Sequence, residues 1–216
     1  VKHSISGPDA FQSAFNVSRE TLDRLRAYAD LLEKWNAKIN LVAPDSIPIL
    51  WDRHIADSAQ LFRFLPQNTL NLLDVGSGAG FPGLVLAILG VPDVHLVESD
   101  QRKIAFLREA ARVAGVQVTL HPARIETIPA FQAHVITARA LAALDQLLIW
   151  TERFRTPQTL SLFLKGQSVE VELTQAHKRW TMDIDRHASV TDVKATILAV
   201  REVHRVRDAS VRDSAV

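Results

Sequence analysis

Leu72-Leu73-Asp74-Val75-Gly76-Ser77-Gly78-Ala79-Gly80-Phe81-Pro82-Gly83 is the stretch whose reading decides the fold. Leu70, Leu72, Leu73 and Val75 form a short apolar run, the pattern of a strand buried on both faces. Gly76, Gly78 and Gly80 alternate after it, and the apolar run Leu84 to Leu89 follows. Pro82 is expected just inside a helix start, where its missing N–H costs nothing. The order is therefore strand, glycine turn, helix. Glycines permit positive φ and let a ligand approach the backbone. A helix N-terminus behind them adds free N–H groups and a field that favours negative charge. The combination suits a nucleotide-like cofactor.

The dinucleotide fingerprint G-x-G-x-x-G begins directly after the strand. Counted from Gly76, its third glycine position holds Phe81, and a formal match at Gly78, Gly80 and Gly83 starts late and contains Pro82. The form Asp74-Val75-Gly76-x-Gly78-x-Gly80 instead resembles the first motif of class I S-adenosyl-L-methionine (SAM) methyltransferases.

Outward from this loop, strands and helices alternate from residue 69 on, which predicts an α/β, Rossmann-like, doubly wound and mostly parallel sheet. Strands are expected at 94–98, 116–120, 135–138 and 160–164, and two more at 179–186 and 194–203. Helices are expected at 100–114, 141–154 and 168–177. Before the loop, Ser18 is a plausible N-cap for an amphipathic helix carrying Leu22, Leu25, Tyr28, Leu32 and Trp35. Asn36 and Asn40 are candidate backbone caps after it, and a second helical stretch is expected from Ser46 to Leu65. His54 and Asp57 could share a face of that stretch, but a lone helical His is more often structural, so His54 is left out of the chemistry. The expected organisation is a helical extension over 1–66, an α/β domain over 67–207 and a polar tail over 208–216.

Composition narrows the function. Of 216 residues none is cysteine, which excludes disulfides, thiolate zinc sites and a cysteine nucleophile. The formal net charge of +1 neither demands nor forbids a nucleic-acid partner, so a polyanion must be met by a local patch. Residues 100–124 offer one: Arg102, Lys103, Arg108, Arg112 and Arg124 against Asp100 and Glu109. No apolar run reaches membrane-spanning length, and the first residues lack the apolar core of a signal peptide. A cytoplasmic, monomeric protein without metal or membrane attachment is expected.

Three further positions could carry chemistry. Glu98 ends the second strand about 20 residues after the first glycine, where an acid accepts from both ribose hydroxyls; Asp100 is the runner-up. Ile125 and Glu126 follow the third strand, where the loop borders the adenine in this architecture: Ile125 could pack on the ring and Glu126 could hold the loop, or the segment is a surface turn. Arg139 follows an apolar run at the end of the fourth strand, next to the transferred group, and could position a phosphate or a guanine edge.

Trp35–Val42 (WNAKINLV), Arg53–Ser58 (RHIADS), the glycine loop, Ala123–Glu126 (ARIE), Ala138–Ala140 (ARA) and Leu164–Gly166 (LKG) occur in this order. Together they resemble the bacterial small-subunit ribosomal RNA (guanine-N7) methyltransferases, the glucose-inhibited division protein B family, over about residues 20–170. The resemblance implies a class I methyltransferase domain behind a helical extension, SAM as methyl donor, and 16S ribosomal RNA or a small-subunit particle as partner. It places SAM contacts on Gly76, Gly78, Phe81, Ile125, Glu126 and Arg139, with Glu98 at the ribose and Arg139 as the catalytic candidate. The absence of a cysteine and of an Asp/Asn-Pro-Pro-aromatic motif agrees with N7 as the target, since its in-plane lone pair carries no proton and needs no base. The alternative is a methyltransferase for a small molecule or protein. No motif anchors residues 180–216, and their role stays open.

Overall fold

The computed structural model describes residues 5–206. Seven strands form one sheet in the order β3-β2-β1-β4-β5-β7-β6. β1 (Leu72–Val75), β2 (Val94–Val97), β3 (Val118–His121), β4 (Val135–Arg139) and β5 (Leu160–Lys165) run parallel. β6 (Trp180–Ala188) and β7 (Thr196–Arg205) complete one side as an antiparallel hairpin. All seven expected strands are present. Strand order reverses beside β1, which pairs with β2 on one side and β4 on the other. Ligands bind such sheets in the crevice at the carboxyl ends of the strands at that reversal.

Because side chains alternate along a strand, β1 feeds two cores. Leu72 joins Leu96 beneath α2 (Arg19–Asn36), α4 (Gly83–Ile88) and α5 (Gln101–Val113). Leu73 and Val75 join Val97 against α6 (Leu144–Thr151) and α7 (Val169–Ala176). Phe11 of α1 (Pro8–Phe15) is buried in the first core with Leu22, Leu25 and Tyr28 of α2. The N-terminal helices thus share the core of the sheet. Ser18 caps α2 by accepting from Thr21 N at 3.1 Å, and Asp100 caps α5 by accepting from Arg102 N at 2.8 Å.

Two expectations are corrected. The stretch 46–65 is helical but not one α-helix. It runs as a 3₁₀ segment (Pro44–Ile49), a π turn (Trp51–Ala56), the short α3 (Asp57–Ala59) and a second 3₁₀ segment (Gln60–Phe64). Pro48 removes an amide donor that a regular helix would use. Asp57 and Gln60 are also drawn sideways to the β6–β7 turn. Second, Pro82 stands at the N-cap of α4 rather than inside it, because the helix begins at Gly83. The polar tail expected at 208–216 lies outside the described residues.

Candidate active site

The glycine loop is locked from three directions. Below it, Tyr28 of α2 donates its hydroxyl to Ala79 O at 2.6 Å. Burial holds that phenol well above its ordinary pKa, so it stays a donor. From the side, Glu98 accepts from Gly78 N at 3.0 Å and from Asp100 N at 2.8 Å. A carboxylate has about four lone-pair sites, so two remain for hydroxyl donors. Behind the loop, Asp74 is fully buried, accepting from Thr137 Oγ1 at 2.7 Å and Gly83 N at 3.2 Å. Burial pushes its carboxyl up to about 6, with Thr137 and Gly83 restraining the shift. A Cβ on Gly83 would stand 2.6 Å from Asp74 Cβ and 2.7 Å from its Oδ2, so only glycine permits this approach.

This arrangement changes the meaning of the helix terminus. The free N–H groups expected to greet an anionic ligand are at least partly committed: Gly83 N serves the protein's own Asp74. A pyrophosphate would find that position taken. An adenosyl sulfonium, which carries no phosphate, would not need it.

Two cavities meet over the loop. The smaller, about 310 Å³, is lined by Gly76, Gly78, Val97, Glu98, Ile125, Glu126, Arg139 and Trp150. The larger, about 680 Å³, is lined by Gly76, Gly78, Phe81, Arg53, His54, Asp57, Arg139, Lys165 and Asp192. Gly76, Gly78, Lys103, Arg139, Ala140 and Leu141 border both. Of the residues named from sequence, Glu98, Ile125 and Glu126 therefore gather at the smaller cavity, and Gly76, Gly78 and Arg139 stand at the junction. Phe81 lines only the larger one and is almost wholly buried beneath it. Ile125 is buried and presents its side chain to the second core. Its loop is held by Arg153, which donates to Ile125 O at 2.7 Å and to Ile128 O. Glu126 is exposed at the rim, so the loop-holding role expected of it falls to Arg153.

Arg139 is held as tightly as the loop. Its Nη1 donates to Arg53 O at 3.2 Å and lies 3.4 Å from Asp57 Oδ2. Its Nη2 reaches His54 Nδ1 at 2.9 Å, and the guanidinium lies 4.8 Å above the Phe81 ring. Burial lowers the Arg139 pKa and Asp57 raises it again. A guanidinium only donates, so His54 Nδ1 must accept. Nε2 of His54 then carries the proton and donates to Ser46 Oγ at 2.8 Å, and Ser46 donates to Ala43 O at 2.7 Å. Burial, with Arg139 and Arg53 adding to it, lowers the His54 pKa to about 3, so the ring is neutral at working pH.

His54 belongs to the site although sequence reasoning set it aside. The three-residue spacing to Asp57, with Arg53 alongside, was the available signal. The turn between β6 and β7 gave none. Thr191 Oγ1 donates to Asp57 Oδ1 at 2.7 Å, and Gln60 Nε2 donates to Asp57 Oδ1 at 2.9 Å and Ser189 Oγ at 3.0 Å. Asp192, one residue on, pairs with Arg53 at 3.2 Å. Also on the lining, Lys165 donates to Ala142 O at 2.6 Å and pairs with Glu172 at 2.8 Å. The basic run 100–124 is divided. Lys103 borders both cavities, whereas Arg108 and Arg112 line a hollow with Asp93, Val94 and Val118, at the amino ends of the strands.

Among the described residues, no helix is long and apolar enough to cross a membrane, and no group of three or more His, Cys, Asp or Glu could hold a metal ion.

The chain matches the family model described as rRNA small subunit methyltransferase G, GidB, over residues 21–202. It is 54% identical to the ribosomal RNA small subunit methyltransferase G of Paramagnetospirillum magneticum, over 93% of this chain and 98% of that protein. With the protein of the same description from Rhodospirillum rubrum it shares 52% identity over 92% of this chain and 98% of the other. Among solved structures, a putative O-methyltransferase from Klebsiella pneumoniae superposes with a TM-score of 0.59 at 16% identity, over 90% of this chain and 96% of that one. The 16S rRNA N2 G1207 methyltransferase of T. thermophilus, in complex with AdoMet and guanosine, superposes with a TM-score of 0.51 at 12% identity, over 67% of this chain and 38% of the other. At such identities the structural likeness establishes the fold, that of class I SAM methyltransferases.

Proposed function

The chain belongs to the GidB family of small-subunit ribosomal RNA methyltransferases, and from that premise we propose that it transfers a methyl group from SAM to N7 of one guanine in 16S ribosomal RNA. The observation that carries this reading is the junction of the two cavities at Gly76, Arg139 and Leu141. One cavity suits an adenosyl group. The other is large enough for a nucleobase and lined by both donors and acceptors.

When bound, SAM supplies an electrophilic methyl on a sulfonium. The residues present fit it. Glu98 keeps acceptor capacity for two hydroxyls, Ile125 supplies an apolar wall, and the Gly78 Cβ position meets nothing nearer than 3.9 Å. Glu126 borders the rim, and Phe81 is the platform under Arg139. Guanine N7 carries no proton, so the chain need supply no general base. It must orient the base and exclude water while positive charge moves onto the purine. Arg139 uses three of its five N–H groups inward, on Arg53 O, Asp57 and His54. In this reading an outward N–H meets guanine O6 and leaves N7 open, since a bidentate grip on O6 and N7 would cover the attacking atom. The neutral His54 adds no further positive charge beside Arg139. The protein acts as a monomer, in the cytoplasm, on ribosomal RNA or a small-subunit particle.

Mapping N7-methylguanine by mass spectrometry in 16S ribosomal RNA from cells with and without this protein tests the reading. One modified guanine should disappear with the protein. An unchanged map, with methyl transfer from SAM to small molecules or proteins instead, would replace it.

A further inference from the structure

Residues 35–42 run from the end of α2 to the larger cavity. Asn36 Oδ1 accepts from Leu41 N at 2.9 Å and from Val42 N at 3.0 Å, which fixes the path of the segment between them. Leu41 and Val42 line the larger cavity. Lys38, Ile39 and Asn40 line a hollow of about 140 Å³ with Asp100, Arg102 and Lys103. A second hollow, of about 440 Å³, is bordered by Lys38, Ile39 and Arg102 again and completed by Leu31, Lys34, Trp35 and Ala105. Shared residues join these spaces. Lys103 borders the small hollow and both cavities of the site, and Lys38, Ile39 and Arg102 border both hollows. The result is a groove between the end of α2 and the start of α5 that reaches the site at Lys103.

The groove is apolar with cations around it. Leu31, Trp35 and Ile39 are half-buried in its lining, and Lys34, Lys38 and Arg102 are exposed. Phe106 braces Trp35, with ring centroids 5.7 Å apart at 62°. Arg102 is partly engaged by Asp100 at 3.5 Å. Among the described residues, no carboxylate pairs with Lys34, Lys38 or Lys103. A net charge of +1 leaves the binding of a polyanion to such a local patch. Single-stranded nucleic acid suits both features, since each base brings a π-face for an indole and each phosphate a charge for a lysine. Continuity with the site favours the same occupant. If the larger cavity takes a base of RNA, the nucleotides beside that base must leave along the surface, and this groove is a cationic way out. Resting on the ribosomal RNA reading above, we propose that the groove binds the single-stranded RNA next to the target guanine, with a base stacked on Trp35 and phosphates paired with Lys34, Lys38 and Lys103. A base held on the indole is splayed from its neighbours, so the RNA there is unpaired.

The test uses the full protein with SAM and whichever substrate it methylates, free 16S ribosomal RNA or the small-subunit particle, taken from cells lacking the protein. Lys34→Gln with Lys38→Gln removes two exposed cations and leaves the apolar lining intact. Binding should weaken roughly tenfold, and the plot of log affinity against log salt should flatten by about 1.4, two phosphates at about 0.7 each for a single strand. The loss should fall on KM for the RNA substrate rather than on kcat, with SAM affinity at the wild-type value. Trp35→Leu keeps an apolar neighbour for Phe106 but no ring to stack on. It should weaken binding by at least about fivefold without changing the salt slope, and Trp35→Phe should restore most of the loss. Wild-type affinity and slope in the double lysine variant overturn the groove assignment, while the methyltransferase reading stands on the wild-type rate. A photocrosslink from the groove to a ribosomal protein instead of RNA, mapped by mass spectrometry, overturns it as well. A wild-type protein that methylates neither substrate overturns the reading itself, and the assignment with it.

Discussion

The two cavities are built in opposite ways. The smaller one is built around the backbone of the glycine loop after β1, with Glu98 after β2 and the 123–126 loop after β3 beside it. The larger one is made by side chains brought together over long separations. Arg139 meets His54 across 85 residues, and Thr191 meets Asp57 across 134. A backbone site tolerates side-chain change poorly where a Cβ would intrude and well elsewhere. A site of convergent side chains should fail one hydrogen bond at a time, with methyl transfer lost while donor binding survives.

The largest expected effect belongs to the backbone site. Gly76 has φ +69°, and a Cβ there would meet Leu141 Cδ1 at 2.6 Å at the junction of the cavities. Gly76→Val should abolish SAM binding in calorimetry, a loss of at least about 100-fold. Unchanged affinity would break the contrast, because the loop would no longer be what binds the donor.

Next is the buried carboxylate behind the loop. The Asp74 pKa is raised from 3.8 to about 6, so the folded state holds a proton that the unfolded chain has released between those values. Folding stability from this group therefore rises as pH falls from about 6 to 4, by on the order of 3 kcal/mol. His54 acts in the opposite sense: its pKa is lowered from 6.5 to about 3, so stability falls as pH drops through that window. In the wild type the two slopes oppose each other. Asp74→Asn can still accept from Gly83 N and donate to Thr137 Oγ1, and it should uncover the His54 slope. Urea unfolding of both proteins from pH 4 to 7 measures this, and parallel curves would remove Asp74 as the titrating group.

The same contrast explains what could be read from sequence. Strands β1 to β5 announce themselves as short apolar runs, and Gly76, Gly78 and Glu98 follow from spacing along one chain segment. Local patterns encode local structure. The mixed-pitch run from Pro44 to Phe64 was not legible, since its turns answer to Asp57 and Gln60 bonding to a hairpin far along the chain. Nor was the commitment of Gly83 N to Asp74, which needs the three-dimensional closeness of β1 and α4. The role of residues 189–192 left no trace in spacing, because their partners are set by the sheet order β5-β7-β6.

A smaller effect separates the walls of the larger cavity. Asp57→Asn removes the charge facing Arg139 at 3.4 Å while leaving an acceptor for Thr191. The variant should cost about 1 to 2 kcal/mol of transition-state stabilisation, read as a roughly fivefold to thirtyfold drop in kcat. SAM affinity should stay at the wild-type value. Loss of donor binding in this variant would mean that the two cavities are one cooperative unit and that the division drawn between them is false.

The smallest effect lies at the rim of the donor cavity, and it decides what holds the 123–126 loop. Arg153 bridges Ile125 O and Ile128 O from α6's following turn, two buried carbonyls on one guanidinium. Glu126 is exposed, and water competes for any bond it makes to a ligand. Arg153→Ala should therefore weaken SAM binding by about fivefold through a loosened Ile125, a cost near 1 kcal/mol. Glu126→Ala should change it by less than about twofold. Calorimetric titration of the pair resolves the difference. The reverse ranking would show that the rim carboxylate contacts the donor directly, and that the backbone cavity too depends on a side chain.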